Sequence, residues 1–171
     1  MSTQSEISKA FGDVAAAFRR EPELGVGTET SVISVVDGLR CEIRDGDWSL
    51  SVDMPEAAGG SGSAPTPGVL GRAALGSCLA LTYMMWASKE GIDIQSLHVE
   101  VQADFDDGAM FGTSDAAPGY SEVRYAVKIQ SGSDEAAIIR LLDEAERHSP
   151  YLDVFTRPQR VVRRIEITTP D

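Results

Sequence analysis

Apolar residues at helical spacing first appear in SEISKAFGDVAAAFRR, residues 5–20, where Ile7, Phe11, Val14 and Phe18 form one stripe. The pattern predicts an amphipathic helix, with Gly25 as a stop after Pro22. The period then changes. ETSVISVVDGLRCEIRDGDWSLSVDMP reads as three short strands over residues 28–55, with Asp37-Gly38 and Asp45-Gly46 as the hairpin turns. In the middle strand Leu39, Cys41 and Ile43 share one face, and Arg40, Glu42 and Arg44 share the other. Cys41 is therefore expected to point inward with the apolar set.

The stretch EAAGGSGSAPTP reads as a flexible Gly/Ser/Pro connection. A long helix is predicted over residues 66–90, with Thr66 as its cap, Pro67 in its first turn and Gly91 as its stop. Its length is roughly 36 Å at 1.5 Å per residue. From Leu70 to Ser88 its single charge is Arg72, so the helix is apolar on nearly every side and is expected to be buried on nearly every side. Those residues include Arg72 and many small side chains and fall short of the about 20 apolar residues of a membrane span, so a central core helix is expected. Residues 94–167 predict a strand with Leu97, Val99, Val101 and Ala103 on one face, then a loop and a second strand, YSEVRYAVKIQSG. A helix with the stripe Ile138, Leu141, Leu142 and Ala145 follows, and RVVRRIEITTP is the expected closing strand. The order α-β-β-β-α-β-β-α-β predicts one α+β domain over residues 1–171, with residues 1–25 as an N-terminal helical extension.

Composition narrows the function classes. The 171-residue chain is 42% hydrophobic and 25% charged, as expected of a globular protein. Its 15 basic and 27 acidic residues give a formal net charge of -12. That balance repels phosphate backbones and anionic lipid surfaces, so neither nucleic acid nor a membrane is expected as a partner. No basic region followed by an apolar run marks a signal peptide near the start, and there are two cysteines. A reducing cytoplasm is the expected location, without a structural disulfide.

Candidate chemistry reduces to one thiol. His98 and His148 are far apart and no C-x-x-C pair occurs, so no metal site is expected. His98 falls on the polar side of its strand, where a solvated histidine is expected. No nucleophile elbow, P-loop or dinucleotide fingerprint appears, and no cofactor is implied. GGSGS lacks the Lys-Ser/Thr ending of a phosphate loop. Cys78 remains, with Ala74, Leu75, Leu81, Thr82 and Met85 as helical neighbours. Two readings stay open: a buried cysteine acting as a small hydrophobe, or a reactive thiol with a cation or hydrogen-bond donor beside the sulfur. Arg72, six residues earlier, points largely to the other side of the helix.

Several stretches together resemble the OsmC/Ohr family, the osmotically induced and organic-hydroperoxide-resistance proteins. They are GG at 59–60, PTPGVLGRAALGSC at 65–78, the long helix, and the strand-loop-strand-helix-strand order after it. The resemblance implies an α+β fold as an intertwined homodimer, with long central helices packed against antiparallel sheets and active sites at the subunit interface. It also implies that Cys78 is the peroxidatic cysteine. The chain departs from the peroxidase branches at Gly68, where they carry a glutamate, and at Ser149, where they carry the resolving cysteine. Arg40 and Arg44 are the candidates for the family arginine that pairs with the thiolate. The resemblance thus implies a thiol-dependent peroxidase that reduces organic hydroperoxides through Cys78 and is regenerated by an external thiol, with Cys41 as a candidate second thiol. Leu75, Leu81, Met85 and Trp86 are the expected substrate pocket. The alternative is a non-catalytic dimer of the same fold that binds a small apolar ligand at its interface. Cys41 and Cys78 are expected to lie apart.

Overall fold

Residues Gln4–Arg20 form helix α1 of the computed structural model, which describes residues 3–169; the outermost residues of the expected 1–171 domain lie outside them. Thr3 starts the helix with a reciprocal cap: its hydroxyl accepts from Glu6 N at 3.3 Å, and Thr3 N donates to Glu6 Oε2 at 2.7 Å. Ile7 and Phe11 are half-buried, whereas Val14 and Phe18 are exposed.

Strands β1 (Val32–Asp37), β2 (Arg40–Asp45) and β3 (Trp48–Val52) form an antiparallel sheet in that order. Gly38 and Gly46 adopt φ of 54° and 52°, the left-handed conformation that lets these tight turns follow the strand twist. The register aligns Ile33, Ile43 and Leu50 in one apolar row. Within the chain this sheet does not become the cover of the central helix. Val32, Ile33, Val35, Leu39 and Leu50 are all exposed, and Cys41 is half-buried rather than sealed inward. Leu39 falls in the turn before β2, burial along β2 does not alternate, and the central helix packs mainly on other elements, so the expected inward face is not formed within this chain.

Leaving β3, the chain makes a rigid corner. Asp53 is 1% exposed, and its carboxylate accepts from Met54 N, from Ser61 N and Oγ, and from Ser63 N and Oγ at 2.6–3.2 Å. These bonds, the Ser61 hydroxyl foremost, hold the Asp53 carboxyl well below the usual carboxylate range. Gly60 lies so close to the Met54 carbonyl that a Cβ there would sit 1.9 Å from its oxygen. The expected flexible connection is thus a tied turn, because Asp53 satisfies the serine hydroxyls and backbone amides that would otherwise face water.

Helix α2 (Pro67–Glu90) follows, with Thr66 at its cap position but no hydroxyl bond closing it, and Gly91 at its end. Leu75, Leu79, Tyr83 and Ala87 are buried at four-residue spacing. Against them pack Leu97, Val99 and Val101 of β4 (Ser96–Asp104) and Val123, Tyr125 and Val127 of β5 (Glu122–Gln130). The two strands pair antiparallel from Ser96↔Gln130 to Asp104↔Glu122. One short helix, α3 (Asp107–Met110), lies in their connection. Helix α4 (Glu135–Glu146) is capped by Asp134 and buries Leu141 and Ala145. Tyr83 Oη donates to Glu146 Oε1 at 2.7 Å, and burial together with that carboxylate raises the phenol well above its ordinary range. The chain is therefore a mixed α+β fold of helices and antiparallel sheets.

Two further expectations are corrected. Residues 158–169 form no strand, and Val161 and Ile167 are 90% and 87% exposed. A strand needs a free edge and a face to cover, and no strand of the described residues pairs with this segment. Helix α2 is also not buried all round: Val69, Leu81 and Met85 remain exposed.

The tied corner yields a test. Gly60→Ala should destabilise the fold by roughly 2 kcal/mol or more, because the methyl group meets backbone rather than a movable side chain. Asp53→Asn should lower the melting temperature at pH 7. The gap to wild type should narrow as pH falls below about 4, since a depressed native pKa adds stability above the unfolded carboxyl pKa and loses it below. Thermal melts across pH check both; an unchanged gap down to acid pH would show that the ionised carboxylate contributes nothing.

Candidate functional site

The stripe of α2 beside its buried one carries Ala74, Ser77, Cys78, Leu81, Thr82, Met85 and Trp86, and these residues floor a cavity of about 740 Å³. Phe11 of α1 forms one wall. His148, Pro150 and Tyr151 form another, at the junction of α4 with helix α5 (Pro150–Thr156). The lining is largely apolar.

At the sulfur the decisive contact is Cys78 Sγ to Ser149 Oγ, at 3.5 Å. Ser149 is 3% exposed and caps α5, its oxygen accepting from Leu152 N at 3.4 Å. With that lone pair engaged, the hydroxyl proton is free to point at the sulfur, so Ser149 can donate to a thiolate. Thr82 does not compete, because its hydroxyl donates back to Cys78 O at 2.7 Å.

An aromatic assembly closes the far end. Trp86 stacks on the His148 ring with centroids 4.6 Å apart, and Phe11 meets Trp86 edge-on at 5.5 Å. Lys89 Nζ sits 3.6 Å from the Trp86 ring centre. His148 Nε2 is 3.3 Å from Glu144 Oε1.

Of the residues singled out in the sequence, the structure gathers Cys78, Leu81, Met85, Trp86 and Ser149. It does not gather the rest. Leu75 is 1% exposed in the core and lines no part of the cavity, since it lies on the stripe turned toward β4. Arg40 and Arg44 stay on β2, the first donating to Ser51 Oγ at 3.4 Å and the second pairing with Glu42 at 3.6 Å. Cys41 lies on the same strand, and both cysteines are free thiols. Arg72 and Gly68 line a separate cavity of about 730 Å³ with Tyr120 and Phe105. A Cβ at Gly68 would lie 3.4 Å from Arg72 Nη1, so position 68 faces that second cavity. Among the described residues no His, Cys, Asp and Glu side chains converge to hold a metal ion.

Sequence reasoning missed Phe11, His148 and Tyr151 as cavity residues, and missed α5 itself. The Ser149-Pro150 pair was the available signal: a capping residue followed by proline at the first helical position.

Comparison with known proteins bears on this geometry. The model of the family described as OsmC-like protein matches residues 60–162. An OsmC-like protein from Mycoplasma pneumoniae superposes with a TM-score of 0.65 at 15% identity, over 75% of this chain and 87% of its own. An organic hydroperoxide resistance protein OsmC from Legionella pneumophila gives a TM-score of 0.57 at 19% identity, over 77% and 92%. One from Elizabethkingia anophelis, with thiocyanate bound, gives 0.56 at 16%, over 77% and 89%. Among curated proteins no sequence matches. At these identities the structures share the fold.

If Ser149 donates to the sulfur, Ser149→Ala should slow alkylation of Cys78 by iodoacetamide at pH 7 several-fold. The lost cap should also cost about 1 kcal/mol of stability. Mass spectrometry of the alkylated peptide reads the first effect; an unchanged rate in a folded variant would remove Ser149 from the thiol chemistry.

Proposed function

The chain belongs to the OsmC-like protein family, and on that premise we propose that it is a thiol-dependent peroxidase reducing organic hydroperoxides through Cys78. The carrying observation is a single thiol at an open, largely apolar cavity with a buried hydroxyl 3.5 Å from its sulfur. Relatives of the same fold named organic hydroperoxide resistance proteins support the substrate class. In this reading the thiolate attacks the terminal peroxide oxygen. The S–O bond forms, the O–O bond breaks, and the alkoxide leaves to take a proton, giving an alcohol and a sulfenic acid on Cys78. Ser149 has no sulfur to resolve that acid, and Cys41 sits on the other sheet. An external thiol therefore condenses with it, releasing water, and a second thiol reduces the mixed disulfide. A reducing cytoplasm supplies such thiols, and we place the protein there.

The same proposal includes an intertwined homodimer. Apolar surface is left uncovered on three elements: the β1–β3 sheet, the α2 side carrying Val69, Leu81 and Met85, and the extended segment with Val161, Ile165 and Ile167. A second copy supplies both the edge and the face these elements lack. Such an interface would bury more than ~2,000 Å², in the obligate range.

One observation favours the alternative of apolar-ligand binding without chemistry: among the described residues, no arginine, lysine, aspartate or glutamate lines the cavity of this subunit. Turnover decides between them. Cumene hydroperoxide with dithiothreitol should be reduced by wild type and by Cys41→Ser, and not by Cys78→Ser, with a dimedone adduct on Cys78 alone. Oxidation of Cys78 no faster than that of free cysteine would establish the binding reading instead. Sedimentation should give a dimer at all accessible concentrations; a concentration-independent monomer would overturn the assembly.

A further inference from the structure

We propose that the second cavity, between the start of α2 and the end of β4, binds a small amphipathic carboxylate whose head is held by Arg72. The inference goes beyond the peroxidase reading and does not rest on it. Arg72 is the single charge of α2 between Leu70 and Ser88. It stands three and seven residues before the buried Leu75 and Leu79, which places it on the packed side of the helix. The side of Leu81 and Met85, for which a second copy is proposed, is a different one.

The guanidinium is half-buried and has no partner of its own. A Cβ at Gly68 would sit 3.4 Å from its Nη1, so it lies over the first turn of α2, beside a residue that lines the cavity. Position 68 is four residues before Arg72, the place from which an acidic side chain best pairs with a basic one on a helix. Here that place is glycine, so the helix offers the guanidinium space instead of a carboxylate. No hydrogen bond or ion pair joins Arg72 to another of the described residues. Tyr120 Oη, close by, donates to Gly68 O at 3.1 Å. Asp106 and Asp107 also line the cavity, but neither neutralises Arg72. The Asp106 carboxylate accepts from Gly108 N at 2.8 Å and from Ser114 Oγ at 2.7 Å, and Asp107 is exposed in the first turn of α3.

The remaining lining supplies the other half of the recognition. Met54, Val101, Ala103, Phe105 and Met110 are apolar, and Phe105 and Met110 are 56% and 54% exposed. The volume of about 730 Å³ falls within the roughly 300–1,000 Å³ of small-molecule sites. A planar guanidinium fork can donate to both oxygens of one carboxylate. An apolar chain laid over Phe105 and Met110 would remove their surface from water. An acid without a chain leaves that surface wet, and a chain without an acid leaves Arg72 unpaired. The two aspartates disfavour a second negative charge on the ligand. Together these groups select a monocarboxylate with an apolar body.

The test titrates the full chain with octanoate and with octan-1-ol, by calorimetry. Wild type should bind the acid about tenfold or more tightly than the alcohol, as expected for a charge-assisted pair. Arg72→Gln should abolish that preference. Gly68→Glu should weaken octanoate about tenfold, because the added carboxylate engages the guanidinium from within the helix. Gly68→Gln has the same shape without the charge and should stay within about threefold of wild type. A Cβ at position 68 meets only ordinary contacts, so both variants should fold, and melting temperatures check this. Equal affinity for acid and alcohol, an unchanged preference in Arg72→Gln, or equal losses in Gly68→Gln and Gly68→Glu would overturn the proposal. A wild type that binds no octanoate would overturn it too. Loss of the dimer in Arg72→Gln would in that case assign the cavity to a second copy.

Discussion

Leu75, Leu79, Tyr83 and Ala87 recur every four residues along α2, and the side they define is pressed onto the β4–β5 sheet and α4. Each fully buried large apolar side chain contributes about 1.5–3 kcal/mol, so this contact fixes the rotation of α2 about its axis. Cys78, Thr82 and Trp86 each stand three residues beyond a buried position. They consequently fall at the border between the packed side and the open one. That border is where α5 begins, and its cap Ser149 meets the sulfur. The place of the thiol is therefore set by core packing that involves no reactive group.

The rest of the chain is arranged around that helix from its two ends. At the entry, Asp53 gathers five donors and converts a glycine-rich connection into a fixed corner between β3 and α2. A buried carboxylate is tolerated there because every donor around it is pointed inward. Beyond the corner the balance reverses. The β1–β3 sheet and the last extended segment carry apolar residues with nothing of this chain to cover them. One subunit thus combines a packed half, which orients the thiol, with an unpacked half whose apolar groups call for another surface.

The cavity joins a part that the family model matches to a part that it does not. The family match spans residues 60–162, which include α2, the β4–β5 pair and α5. Helix α1 lies outside it, yet Phe11 walls the cavity and braces Trp86. The aromatic assembly of Phe11, Trp86 and His148 is therefore built across that boundary, whereas Arg40 and Arg44, the candidates the family resemblance implied, stay on β2.

Local physics determined what the sequence made legible. Periodicities of 3.6 and 2 residues identified α1, α2, α4, the hairpin strands, β4 and β5, because each depends on neighbours within a few positions. The lone thiol on an apolar helix, with the glycines and proline before it, marked the family and the reactive candidate. Convergence over long separations was not legible. Phe11, Trp86 and His148 meet only because α1 and the end of α4 both pack on α2, and no local pattern encodes that meeting. The same limit applies to burial. Parity suggested an inward face for Leu39, Cys41 and Ile43, and alternation in RVVRRIEITTP suggested a strand, but a face is buried and a strand is formed only when a partner lies opposite. Sequence fixes which side of an element is apolar; the tertiary structure decided which of those sides met a surface within this chain, because burial belongs to a pair of surfaces and not to either one.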